Sequence, residues 1–326
     1  MDATRYLTRG FRARLPVRYL LDSCEELYGD TGWSTRRAQD ELVEVLQGQK
    51  DLDSYCRSFL RLVLREIDLC PSGREEISED LVTLAAHACS LSVAAGDGTI
   101  AEVAEAAFEF EVGGVKHDAY VYISSAMSDV HLRVWDAGLF LFECILSKQL
   151  DISSKRVVEI GAGAGLNLVA LHLAGAQSTI LTDRNEIAVD NLDRVIERNS
   201  ASNYARARVL DLEEEDDARR ASDLQDADVL IGADITYDPA LVKSVVRCYS
   251  LFLSADKSKS RYGYLAFTVR SSEMVDLLYS ELQARGLKYS DITRAVEERR
   301  VRFLEYCRTS RTGKPSEIIL IRIDPS

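Results

Sequence analysis

The chain has 326 residues, 46% hydrophobic and 29% charged, with 53 acidic against 40 basic side chains and a net charge of −13. That length holds one large domain or two ordinary ones, and a mean hydropathy of −0.12 with only short apolar runs excludes a disordered chain and a transmembrane helix. The acidic balance argues against nucleic-acid binding by bulk electrostatics, which needs a cation for each phosphate contact, and leaves room for a basic protein partner.

Residues 1 to 21 set Arg5, Arg9, Arg12, Arg14 and Arg18 against the single acid Asp2. Two readings fit this segment: a mitochondrial transit peptide, or an amphipathic helix of the folded protein. The absence of serine favours the helix. Apolar residues then recur at three and four in Leu42, Val45, Leu46, in Tyr55, Phe59, Leu62, Val63, and in Leu81, Leu84, Ala85, Ala88, Leu91, predicting helices, with Pro71-Ser72-Gly73 breaking the run. Ala95-Gly96-Asp97-Gly98 marks the next break. Beyond it Phe108, Phe110, Val112 and Ala119, Val121, Ile123 alternate around Gly113-Gly114, a hairpin signal.

Strand-like runs follow at Arg156 to Ile160, Ser178 to Leu181, Arg206 to Leu210, Ala227 to Ile231, Tyr264 to Val269, Val301 to Tyr306 and Glu317 to Ile323, with helical stretches starting near Leu166, Glu186, Asp238 and Glu273. Five alternations and two closing strands predict an α/β fold: a Rossmann-like, seven-stranded, mostly parallel sheet ending in a C-terminal antiparallel hairpin, with Thr309 to Pro315 as its loop. The division expected is a helical N-terminal extension over 1–105 and a second domain over 106–326. Seven scattered cysteines without a CxxC pair read as reduced thiols, and His87, His117, His131 and His172 show no ligand spacing, so no metal is expected.

The strongest local feature is Glu159-Ile160-Gly161-Ala162-Gly163-Ala164-Gly165-Leu166, a buried strand entering a glycine turn and then a helix. Glycine admits a ligand close to the backbone, and the helix N-terminus offers N–H groups. Asp183, 20 residues after Gly163 at the end of the second strand, suits a pair of ribose hydroxyls. Glu159 would repel a pyrophosphate but attract the cationic methionine part of S-adenosylmethionine, which favours that cofactor over a dinucleotide.

The motif resembles the first motif of the seven-strand, class I S-adenosylmethionine-dependent methyltransferases. Trp135-Asp136-Ala137-Gly138 is similar to the Trp-Asp-Ala-Ala segment of their protein-lysine branch, and Ala233-Asp234-Ile235-Thr236-Tyr237 to its Asp-x-x-Tyr motif. Tyr264 to Arg270, with Glu273 after it, resembles the fifth strand of the elongation factor 2 lysine methyltransferases, and the helical extension is loosely similar to theirs. The chain departs from the family at His131-Leu132-Arg133, where a Thr-Gly approach is usual. It departs again at Leu210-Asp211-Leu212, where a Trp usually follows the acid.

The resemblance implies cofactor contacts at Trp135, Glu159, Gly161, Ala162, Gly163, Asp183, Asp211 and Ala233, and catalytic roles for Asp234 and Tyr237. Asp234 would capture and orient the lysine ammonium, and Tyr237 would wall its channel. A simpler reading of Asp234 is a helix N-terminal residue ahead of Pro239, and of Asp211 the start of the acid run that follows it. The implied protein is a cytoplasmic, monomeric protein-lysine N-methyltransferase acting on elongation factor 2, without direct nucleic-acid or membrane binding. The alternatives are a methyltransferase acting on another protein or a small amine, and a non-catalytic module that binds a partner.

Overall fold

The computed structural model describes residues 2–23, 27–29, 32–49, 52–70, 76–94, 103–124, 128–214, 216, 222–256, 258–304 and 317–325. The predicted breaks at 71–73 and 95–98 and the predicted loop at 309–315 lie outside these residues. By contacts the chain divides into two units, the first made of 1–102, 106–109 and 305–315 and the second of 103–105, 110–304 and 316–326.

The first unit is helical: α1 (Ala3–Arg12), α2 (Val17–Asp22), α3 (Arg36–Gln47), α4 (Ser54–Leu69) and α5 (Glu79–Ala94). Asp2, Thr35 and Asp53 cap α1, α3 and α4 by accepting hydrogen bonds from Thr4, Ala38 and Cys56 N–H groups at 3.1, 3.2 and 3.0 Å. The apolar stripes meet in a core where Phe11 and Trp33 set their rings edge-on to Phe59, at 5.0 and 5.6 Å. The arginine-rich start is helix α1 and its sequel. Arg9 and Arg12 both pair with Glu109, and Arg14 pairs with Asp53. Cys56 and Cys70 here, with Cys144 and Cys248 in the second unit, stand outside any disulfide.

The second unit is built on a seven-stranded sheet of β3 (Arg156–Ile160), β4 (Ser178–Asp183), β5 (Ala205–Val209), β6 (Val229–Ala233), β7 (Tyr262–Thr268), β8 (Lys288–Asp291) and β9 (Ile318–Asp324), in the order β5-β4-β3-β6-β7-β9-β8. The first five strands are parallel, and β9 runs antiparallel to both β7 and β8. The helices are α6 (Asp136–Leu146), α7 (Asn167–Leu173), α8 (Glu186–Arg198), α9 (Ser222–Asp226), α10 (Pro239–Ser254), α11 (Ser272–Ala284) and α12 (Thr293–Glu297). The central strands are buried on both faces and read as apolar runs, whereas α8 and α10 carry apolar stripes that pack on the sheet.

One predicted strand is displaced. Residues 301–304 of the stretch Val301 to Tyr306 form no strand, and 305–306 lie outside the described residues. The backbone there bonds to α6 instead: Val301 N–H donates to Ser147 Oγ at 2.8 Å and Leu304 N–H to the buried Glu143 at 2.9 Å, while Phe303 sets its ring 6.5 Å from Phe110. The stretch is thus held by its backbone, with Val301 exposed and Leu304 buried, and β8, four mostly polar residues, takes the outer place beside β9.

A two-stranded sheet of β1 (Val103–Val112) and β2 (Val115–Ser124) turns at Gly113-Gly114, both with positive φ as a two-residue hairpin turn requires. Side chains of α8 and its C-terminus pair with the β2 backbone. Asn199 Oδ1 accepts from Tyr120 N–H at 3.0 Å and its Nδ2 donates to Tyr120 O at 2.7 Å, while Asn191 Nδ2 donates to Tyr122 O at 3.1 Å. Arg198 and Arg194 lie over the Tyr120 and Tyr122 rings at 3.5 and 4.0 Å. Asn199→Ala leaves both Tyr120 backbone groups unpaired and is expected to cost about 1–3 kcal/mol in chemical denaturation; an unchanged midpoint would show that water takes over both bonds.

Candidate active site

The chain order reverses at β3, which has β4 on one side and β6 on the other, so the loops leaving these strands part and open a crevice at their carboxyl ends. The ten residues singled out from sequence all line one cavity of about 490 Å³ there. Glu159 comes from β3, Asp183 ends β4, Asp211 follows β5, and Ala233 ends β6 with Asp234 and Tyr237 after it. Trp135 is the residue before α6, its indole N–H donating to Val130 O at 3.0 Å.

The glycine turn is needed first by the protein itself. Gly161 has φ of 63°, and a Cβ there would fall 2.4 Å from Ile235 Cγ2. The turn amides are also partly spent: Ala162 N–H donates to Thr182 O at 2.8 Å, and Gly163 N–H to Asp183 Oδ2 at 3.1 Å. Asp183 Oδ1 accepts from Asn185 N–H at 3.1 Å, and each oxygen keeps a further acceptor position, enough for two hydroxyls. Burial pushes the Asp183 carboxyl upward, and these hydrogen bonds oppose the shift.

Glu159 is 3% exposed. Asn167 Nδ2 donates to its Oε1 at 2.7 Å, but Glu159 Oε2 and Asn167 Oδ1 are buried with no protein partner. Burial pushes the Glu159 carboxyl up to about 7, the Asn167 bond opposing and the nearby Asp183 charge adding to the shift. Two unmatched acceptors lining one cavity are what a cationic group with several N–H donors would satisfy.

Asp234 has φ of 52°, a conformation Asp tolerates better than most residues, and is 9% exposed. Its Oδ2 accepts from Ala137 N–H at 3.0 Å and from the Thr268 hydroxyl at 3.1 Å, and its Oδ1 from Thr268 N–H at 2.9 Å. It therefore ties the first turn of α6 to the end of β7. The reading of Asp234 as a helix N-terminal residue falls, because Asp238 caps α10, accepting from Ala240 N–H at 2.8 Å. Asp211 lies between buried Leu210 and Leu212 and accepts from Glu213 N–H at 2.9 Å, so it closes a local turn as well as facing the cavity. Tyr237 is 52% exposed at the cavity. Sequence reasoning missed Asn167 and Thr268; a lone polar residue opening the apolar helix α7 was a usable signal for the first, and nothing local marks the second. Among the described residues no group of three or more His, Cys, Asp or Glu could hold a metal, and no helix is long and apolar enough to cross a membrane.

A family model described as lysine methyltransferase matches residues 120–278. Over 307 residues the chain is 27% identical to protein-lysine N-methyltransferase EFM3 of Saccharomyces cerevisiae, covering 86% of this chain and 87% of that one. It is 24% identical over 254 residues to protein-lysine N-methyltransferase EEF2KMT of Mus musculus, covering 73% and 71%. An uncharacterized protein of Dictyostelium discoideum is 27% identical over 199 residues, and the chain spans only 55% of its length. The cofactor of such enzymes is S-adenosylmethionine, and the donor set fits it: Glu159 and Asn167 offer acceptors to its ammonium, and Asp183 offers acceptors to its ribose.

Because the folded-state pKa of Glu159 is raised from 4.5 to about 7, its ionisation destabilises the cofactor-free fold as pH climbs through that window, by about 3 kcal/mol in all. Glu159→Gln is expected to unfold at a higher temperature than the parent at pH 8 and at nearly the same temperature at pH 5. Its affinity for S-adenosylhomocysteine, which carries the same ammonium, should fall at least tenfold by calorimetry. An equal stability difference at both pH values would overturn this account of the carboxyl.

Proposed function

We propose that the protein, whose residues 120–278 match a family model described as lysine methyltransferase, moves a methyl group from S-adenosylmethionine to a lysine side chain of another protein, most specifically elongation factor 2. The observation that carries the reading is the single cavity in which Glu159, Asn167 and Asp183 supply cofactor acceptors while Asp234 and Tyr237 occupy the loop after β6. The match to the yeast relative covers 86% of the chain, more than residues 120 to the end could supply, so it reaches into the helical part that the general methyltransferase fold lacks. On this reading residues 1–105 select the protein substrate, residues 106–326 perform transfer, and the enzyme works as a monomer in the cytoplasm.

Bound cofactor supplies an electrophilic methyl group on a sulfonium; the rest falls to the chain. A free lysine with a pKa near 10.4 is neutral about once in a thousand molecules at cellular pH, so the site must bind the ammonium and then favour its loss of a proton. Asp234 fills three of its roughly four acceptor positions with protein donors, which fixes the carboxylate and leaves room for about one further N–H. It can therefore orient the amine without surrounding it, and a carboxylate that surrounded the ammonium would hold its proton too firmly. Tyr237 walls the same approach, and the loss of water on closing the channel lowers the amine pKa.

Asp234→Asn keeps a residue that tolerates the left-handed conformation but turns an N–H₂ toward protein donors, so the ties to Ala137 and Thr268 are partly lost. Transfer should fall about 100-fold or more while S-adenosylhomocysteine affinity stays within a few fold; calorimetry showing that cofactor binding goes first would reverse this division of labour. The substrate assignment is tested by incubating the protein with radiolabelled S-adenosylmethionine and a lysate from cells lacking the enzyme. A labelled band at the size of elongation factor 2 is expected; a labelled small molecule, or a different protein, would replace that assignment.

A further inference from the structure

Two arginines meet over one aromatic ring at a cavity whose other charged side chains are mostly acidic. Arg270 is exposed, lines the cavity, and holds its guanidinium carbon 5.6 Å from the centre of the Trp135 ring; Arg133, also lining the cavity, lies 5.7 Å from the same ring. The backbone leading to Arg270 is well anchored. Arg270 stands two residues beyond Thr268, which Asp234 holds by two hydrogen bonds, and the intervening Val269 N–H donates to Glu317 O at 2.8 Å. The carboxylate proposed to orient the lysine and the exposed arginine thus hang from one fixed point, with Tyr237 and Val130 exposed at the same cavity.

An arginine beside a lysine channel repels the incoming ammonium, a cost that is recovered when the substrate brings an acid with it. On a chain of net charge −13 the long-range field also works against an acidic segment, so a local cation is needed to admit one. A guanidinium resting on an aromatic face presents its fork of N–H donors in a restricted orientation, and that fork matches a carboxylate better than any other side chain.

We propose that Arg270 is a specificity residue that binds a carboxylate next to the target lysine, so that the proteins this enzyme methylates carry Asp or Glu beside the modified residue. The proposal rests on the lysine methyltransferase reading above.

The test uses the full chain, a lysate from cells lacking the enzyme, and radiolabelled S-adenosylmethionine, with the labelled lysine located by mass spectrometry. The lysine is expected to have Asp or Glu within about three residues in sequence or adjacent on the surface of its protein. R270E and R270Q should label it at least tenfold more slowly and R270K, which keeps the charge but loses the fork, by a smaller factor, all with S-adenosylhomocysteine affinity within twofold of the parent. Replacing the substrate acid by Arg should slow the parent enzyme tenfold and restore R270E. A labelled lysine without an acidic neighbour, variants that label at the parent rate, or additive effects of the enzyme and substrate changes would each overturn the proposal. A parent enzyme that binds S-adenosylhomocysteine yet labels no protein overturns the methyltransferase reading itself, before any Arg270 variant is made.

Discussion

The reversal of strand order at β3 is the constraint on which the site depends. With β4 and β6 on opposite sides of β3, the loop after β3 cannot follow both neighbours, and the carboxyl ends of five parallel strands surround a crevice that no side chain fills. Each strand then contributes at its own end: a carboxylate from β3, another from β4, a third just after β5, the Asp234 loop after β6 and the arginine beyond β7. The chemistry is assembled from residues more than a hundred positions apart because the sheet orders them, and no single segment could do it.

Two carboxylates in that crevice are treated in opposite ways. Asp234 is satisfied by three protein donors and so holds two elements in register. Glu159 is left half unsatisfied in a buried wall, at a cost in stability that a ligand can return. A satisfied carboxylate builds the frame, and an unsatisfied one waits for a partner.

Much of this was legible in the sequence, and the parts that were not share a cause. The parallel strands announce themselves because burial on both faces demands apolar runs, and β3 falls on Arg156–Ile160 as the pattern predicts. β8 was invisible because it lies outermost, with a polar sequence that nothing local distinguishes from a loop. The stretch from Val301 looked like a strand because its apolar residues alternate, yet its backbone is claimed by Glu143 and Ser147 of a helix region some 150 positions earlier. Glu159, Asp183 and Asp234 stand in recognisable motifs, whereas Thr268 earns its place only through a contact that folding creates.

The outer strands also bear on how the protein behaves at high concentration. An unpaired strand is a template on which another chain can build, and the exposed strands here are each obstructed by a different device. Asparagines satisfy β2 in the manner of a neighbouring strand, arginines at 206 and 208 charge β5, and β8 is only four residues long with Lys288 and Asp291 at its ends. These strand edges are therefore guarded by side chains far from the cavity, whatever the net charge of the chain contributes.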